Sequence, residues 1–175
     1  LELELPTSRS RFSVDSSTAD ALMMQTSIGQ GNTLVTPLQM AMIASAVAND
    51  GVMMQPYFVD RIEAYDGTRV SETSSQRLAE VMSASEADKL TELMRGVVED
   101  GTARSLNDLG YNIAGKTGSA EHGDKTEDTH SWFVGFSNAE DPDLVVAVIA
   151  EASGSGSSVA TPIARQVFQA YYGDL

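Results

Sequence analysis

The stretch that most restricts the fold is Leu144-Val145-Val146-Ala147-Val148-Ile149-Ala150, an uninterrupted apolar run. It falls far short of the ~18 residues that a bilayer-spanning helix needs. Its β-branched residues favour a strand, and because both faces are apolar the strand should be central in a sheet. Two further strand patterns precede it, at residues 113–121 and 130–137, joined by a polar connection at 122–129. This reads as a hairpin with a long tip. Trp132, Val134 and Phe136 share one face and should bury against helices, while Gly135 on the other face leaves room beside the first strand.

Helical signals flank this β-rich part. Thr36 should cap a helix through a capping box with Gln39, with Pro37 in the first helical position; Met40, Ile43, Ala44 and Val47 give its apolar stripe, and Asn49-Asp50-Gly51 stops it. Ser83 and Glu86 repeat the capping box, followed by Leu90, Leu93, Met94, Val97 and Val98, with Asp100-Gly101 as the stop. Thr161 should cap a last helix buried through Ile163, Val167, Phe168 and Tyr171. Between the first two helices, residues 57–65 read as a strand turning at Asp66-Gly67 into Arg69-Val70. Leu1, Leu3 and Leu5 alternate with Glu2 and Glu4 as in an extended entry segment that Pro6 ends. Residues 7–18 read as an irregular loop and 154–158 as a flexible linker.

Chemistry concentrates in Gly115-Lys116-Thr117-Gly118-Ser119-Ala120-Glu121. Alternation along a strand puts Lys116 and Gly118 on one side and the hydroxyls of Thr117 and Ser119 on the other. Gly118 lacks a Cβ, so an extended ligand can come close if the strand lies at a sheet edge. Thr117, Ser119 and the charge of Lys116 suit a carboxylate, and the Ser119 N–H suits an oxyanion. Upstream lies Ser27-Ile28-Gly29-Gln30-Gly31, running into Val35-Thr36-Pro37-Leu38-Gln39-Met40-Ala41; downstream lies His130-Ser131-Trp132-Phe133-Val134-Gly135-Phe136. In that order these motifs closely resemble the transpeptidase domain of class B penicillin-binding proteins.

That family's signature joins Ser-x-x-Lys and Ser-x-Asn to Lys-Thr-Gly. The lysines here are Lys89, Lys116 and Lys125, and the residues three places before them are Glu86, Ile113 and His122, so no Ser-x-x-Lys exists. Ser105-Leu106-Asn107 fits Ser-x-Asn, but the family places that motif far upstream, and it reads as a decoy. Residues 1–175 are therefore expected to be the C-terminal portion of a transpeptidase domain, with the nucleophile outside them.

The resemblance implies an α/β (α+β) fold, an antiparallel sheet flanked by helices. It implies D,D-transpeptidase acyl transfer on the D-Ala-D-Ala stem peptides of peptidoglycan, with β-lactams as mimics. In that reading Lys116 and Ser119 are catalytic, and Thr117, Gly118 and Ser119 bind substrate. The chain alone is expected to be inactive; a non-catalytic module binding peptidoglycan peptides or β-lactams is the alternative. The implied location is the extracytoplasmic face of a bacterial membrane, with the parent membrane-anchored and this chain soluble. Its expected partner is the remainder of the domain, and exposed apolar surface should otherwise cause self-association.

A net charge of −14 argues against nucleic acid, which needs a basic surface. With no cysteine, no disulfide can form. His122, Asp124, Glu127, Asp128 and His130 cluster in the hairpin tip, but they lack calcium-loop spacing and any His-x-x-x-His, so a solvated acidic loop is expected, with no metal and no cofactor. Ser27 to Gly31 lacks the third glycine of a dinucleotide fingerprint and reads as a turn feeding a helix. The carboxylates of the helix after Ser83 read as a solvated face.

Overall fold

The computed structural model describes residues 5–123 and 128–173. The entry segment's Leu1 and Leu3, and the tip residues Asp124 and Glu127, lie outside them. In chain order the elements are α1 (Asp20–Ser27), α2 (Pro37–Ala48), β1 (Val52–Met54), β2 (Arg61–Glu63), β3 (Arg69–Glu72), β4 (Arg77–Glu80) and α3 (Ala84–Glu99). A 3₁₀ helix (Arg104–Leu109) follows, then β5 (Ala114–Ala120), β6 (His130–Phe136), β7 (Val145–Ala150), a π-helical turn (Gly156–Ala160) and α4 (Thr161–Tyr172). The fold is a mixed α+β arrangement with an antiparallel sheet of order β5-β6-β7 and two small antiparallel pairs, β1 with β4 and β2 with β3.

Both faces of the main sheet are covered. On one, Phe133, Val146 and Val148 meet Ala160, Ala164 and Phe168 of the C-terminal segment, with Val98 and Leu106 alongside. On the other, Val47 of α2 packs with Ala114 and Phe136, and Met94 of α3 joins them. This corrects two expectations. Among the described residues β7 pairs only with β6, so the apolar run is an edge strand and β6 is central. An all-apolar strand reports two covered faces, not two paired edges. On β6 the expected face does bury Phe136 completely against α2 and α3, but Trp132 and Val134 are only half-buried, and Phe133 and Ser131 on the opposite face are fully buried. Gly135 sits directly across from Gly115, and a Cβ on it would lie 2.5 Å from the Ala114 carbonyl oxygen.

Capping chemistry fixes the helix starts. The Ser83 hydroxyl accepts from the Glu86 N–H while the Glu86 carboxylate accepts from the Ser83 N–H at 2.8 Å, a complete box. At α2 only half forms: Thr36 Oγ1 accepts from the Gln39 N–H at 3.1 Å, but the Thr36 N–H donates to Ser10 Oγ at 3.1 Å. Ser10 thus replaces the Gln39 side chain and ties the loop of residues 7–18 to α2, as does the Arg11–Leu34 bridge. α2 buries Met42, Ala44, Ala46 and Val47, leaving Ile43 exposed, because it contacts α3 as well as the sheet.

The C-terminal segment departs further from the sequence reading. Residues 154–158 are not a flexible linker but enter a π-turn against β5 and β6, and Thr161 is the first helical residue, its hydroxyl donating to the Gly156 carbonyl at 2.8 Å. α4 buries Ala164 and Phe168, while Ile163, Val167 and Tyr171 are exposed. Its end is anchored by Tyr172, whose hydroxyl donates to the Asp143 carboxylate at 2.7 Å. Burial alone would raise the Asp143 carboxyl, but hydrogen bonds from Tyr172, Ser137 and Asn138 hold it below the usual carboxylate range.

Candidate active site on the Lys-Thr-Gly strand

Strand β5 carries the candidate residues, and among the described residues it pairs with β6 alone, so its other edge is open. Two side-chain donors, one from β5 itself and one from the turn after α1, reach carbonyls on this edge. Lys116 Nζ donates to Thr117 O at 2.6 Å and Gln30 Nε2 donates to Ser119 O at 3.4 Å. In an antiparallel ladder a residue's N–H and C=O point the same way. The backbone groups of Thr117 and Ser119 therefore face the open edge, where an extended ligand can pair with them.

The side chains divide as alternation requires. Lys116 is exposed on the α2 side, and its ammonium curls back over the edge to Thr117 O. Thr117 and Ser119 lie on the α4 side, but they are not equivalent. Ser119 is exposed, and its Oγ accepts from the Gly156 N–H at 3.3 Å, which leaves its own proton free. Thr117 is only 8% exposed, and its hydroxyl is bonded at 2.6 Å to that of Thr102, in the turn after α3. The strand thus offers a cation and an outward N–H at its open edge, with the exposed Ser119 hydroxyl on the α4 face and the Thr117 hydroxyl buried beneath Thr102 on that same face. Such a set can bind a carboxylate and stabilise an oxyanion, and it contains no activated nucleophile.

Gln30 brings the Gly29-Gln30-Gly31 turn to this edge. That turn follows α1, a helix the sequence reading missed because Ala19 provides no side-chain cap and the segment has little amphipathic contrast. Ser105, Leu106 and Asn107 lie in the 3₁₀ helix, with Leu106 buried in the core and the Ser105 carbonyl bound by Arg165. His130 Nδ1 accepts from the Ala152 N–H at 3.0 Å, and its ring stacks on His122 at 3.6 Å. No cluster of three or more potential metal ligands occurs among the described residues. Thr102 and Gly156 carried no sequence signal, since each meets β5 only through the tertiary fold.

A family model described as the penicillin binding protein transpeptidase domain matches residues 2–169. The chain belongs to this family. The transpeptidase-domain chain is 37% identical over 157 residues to the peptidoglycan D,D-transpeptidase PbpA of Mycolicibacterium smegmatis, covering 86% of this chain and 32% of that protein. It is 33% identical over 153 residues to stage V sporulation protein D of Bacillus subtilis, covering 82% of this chain and 24% of that protein. Among solved structures, the imipenem acyl-enzyme complex of penicillin-binding protein A from M. tuberculosis superposes with a TM-score of 0.85 at 36% identity, over 96% of this chain and 37% of that one. This transpeptidase-domain chain therefore spans about a quarter to somewhat over a third of the length of these relatives. No helix among the described residues is long and apolar enough to cross a membrane.

Proposed function

We propose that the complete protein is a serine D,D-transpeptidase and that residues 1–175 form the receiving half of its site. In this reaction a serine outside these residues attacks the carbonyl carbon between the two terminal D-alanines of a stem peptide. The peptide C–N bond breaks, the terminal D-alanine leaves with a proton on its amine, and an acyl ester remains on the serine. An amine of a second stem then attacks the ester, forming the cross-link and returning the serine hydroxyl. A β-lactam enters the first step and stalls at the ester.

The single observation that carries this reading is the open edge of β5, with the Ser119 backbone facing outward and Lys116 Nζ beside it. Ser119 N–H is the oxyanion donor, Ser119 and Thr117 hydroxyls receive the terminal carboxylate, Gly118 admits the peptide backbone, and Lys116 supplies the positive field. The relatives' names, as peptidoglycan D,D-transpeptidases and penicillin-binding proteins, support the same chemistry. Peptidoglycan lies outside the cytoplasm, so the complete protein works at the outer face of the membrane.

The missing partner is the remainder of the same domain, which covers the second edge of β7 and the exposed apolar residues Phe12, Met24 and Ile28. Alone, the chain covers these surfaces by self-association. Light scattering should then report more than one chain per particle; a well-folded monomer at all concentrations contradicts this. The function itself is tested with a fluorescent penicillin on the full-length protein. Covalent labelling that a peptide ending in D-Ala-D-Ala competes away is expected, and an unlabelled, folded protein overturns the proposal.

A further inference from the structure

We propose that Thr102 is a positioning residue for the anion-binding hydroxyl of Thr117. The inference rests on the function proposed above and concerns a residue outside its motifs. The two hydroxyls are 2.6 Å apart and share one proton between them. A threonine hydroxyl has one proton to give and two lone pairs to accept with. With Thr102 as donor, Thr117 keeps its own proton for a ligand carboxylate. With the roles reversed, Thr117 has spent its proton and presents only lone pairs to an anion. A bound carboxylate therefore selects the first arrangement, and the pair acts as a short donor relay ending on the ligand.

Thr102 is fixed well enough to do this. Its neighbour Ala103 is completely buried, and the Ala103 N–H donates to the Val97 carbonyl at 3.1 Å, closing the end of α3. On the other side, a Cβ added to Gly101 would meet the Val97 carbonyl oxygen at 2.7 Å, so that residue is pressed against the helix end. Thr102 sits between two pinned positions, while Thr117, 8% exposed, has little solvent to orient its hydroxyl otherwise. Thr102 itself is exposed, and the one buried group its hydroxyl meets is that of Thr117.

The test uses the full-length protein with Thr102→Val, which keeps the shape and removes the hydroxyl, and Thr102→Ser, which keeps the hydroxyl. Second-order acylation rates are measured with a penicillin bearing its free carboxylate and with the methyl ester of the same penicillin. Thr102→Val should slow the free acid about tenfold, the scale of one lost hydrogen bond, and Thr102→Ser should recover most of that loss. The ester should be nearly indifferent to both changes; leaving the buried Thr117 hydroxyl without Thr102 lowers the melting temperature of Thr102→Val somewhat whichever substrate is used, so the acid-to-ester ratio carries the test. In a Thr117→Val background, Thr102→Val should cost nothing further, because the group it orients is gone. Equal slowing of acid and ester, or no slowing at all, in a protein whose wild type is acylated overturns the role of Thr102 alone. A folded wild type that no penicillin acylates overturns the proposed function, and this inference with it.

Discussion

Alanine at Gly156 is expected to slow acylation of the full-length protein by about 100-fold, the cost typical of displacing a reacting group by ~1 Å. The added Cβ would lie 2.5 Å from both the Gly118 and the Trp132 carbonyl oxygens and 2.8 Å from the Gly118 nitrogen. These are backbone atoms, so no side chain can swing aside. Either the turn withdraws or β5 and β6 shift, and β5 moves at the peptide between Gly118 and Ser119 that carries the proposed oxyanion donor. The Gly156 N–H bond to Ser119 Oγ would be lost in the same movement. Overpacking of this kind also costs about 1–3 kcal/mol of stability, which denaturant unfolding of the same variant would read. An alanine variant with wild-type acylation and stability would mean that the turn is not held against the strand.

The second large effect is expected at Lys116. Replacing it with alanine should reduce acylation by at least about 100-fold, comparable to loss of an oxyanion-hole donor. Nζ lies at the open edge of β5, 2.6 Å from Thr117 O, and the side chain is exposed, so folding does not depend on it. Melting should therefore be unchanged while the rate collapses. Lys116→Arg should restore little, because a planar fork does not replace a compact point charge within the same short reach. Equal acylation of Lys116→Ala and wild type would remove the cation from the site.

How far the sequence already displayed this arrangement depended on the kind of signal. The three strands around Lys-Thr-Gly were legible because alternation and apolar runs are local, and the complete capping box at Ser83 was legible because its two partners are three residues apart. The order of strands was not, since the apolar character of residues 144–150 reflects α2 on one side and α4 on the other, whichever strand pairs with them. The glycine- and serine-rich residues 154–158 looked like a linker; their small side chains instead permit close approach to β5. The alternation that grouped Thr117 with Ser119 placed both on one face but could not reveal that Thr102, fifteen residues away, closes over the first and leaves the second open. Local pattern identified the strand, and only the tertiary fold showed what holds its hydroxyls.

The most direct measurement is the position of the acyl group. Full-length protein would be acylated with penicillin, digested, and its peptides mapped by mass spectrometry. The adduct is expected on a serine in a peptide outside residues 1–175, with every peptide of this chain unmodified, including the one containing Lys116, Thr117 and Ser119. An adduct on Ser119, or on any other hydroxyl or amine within these residues, would contradict the assignment of this chain to the receiving half of the site.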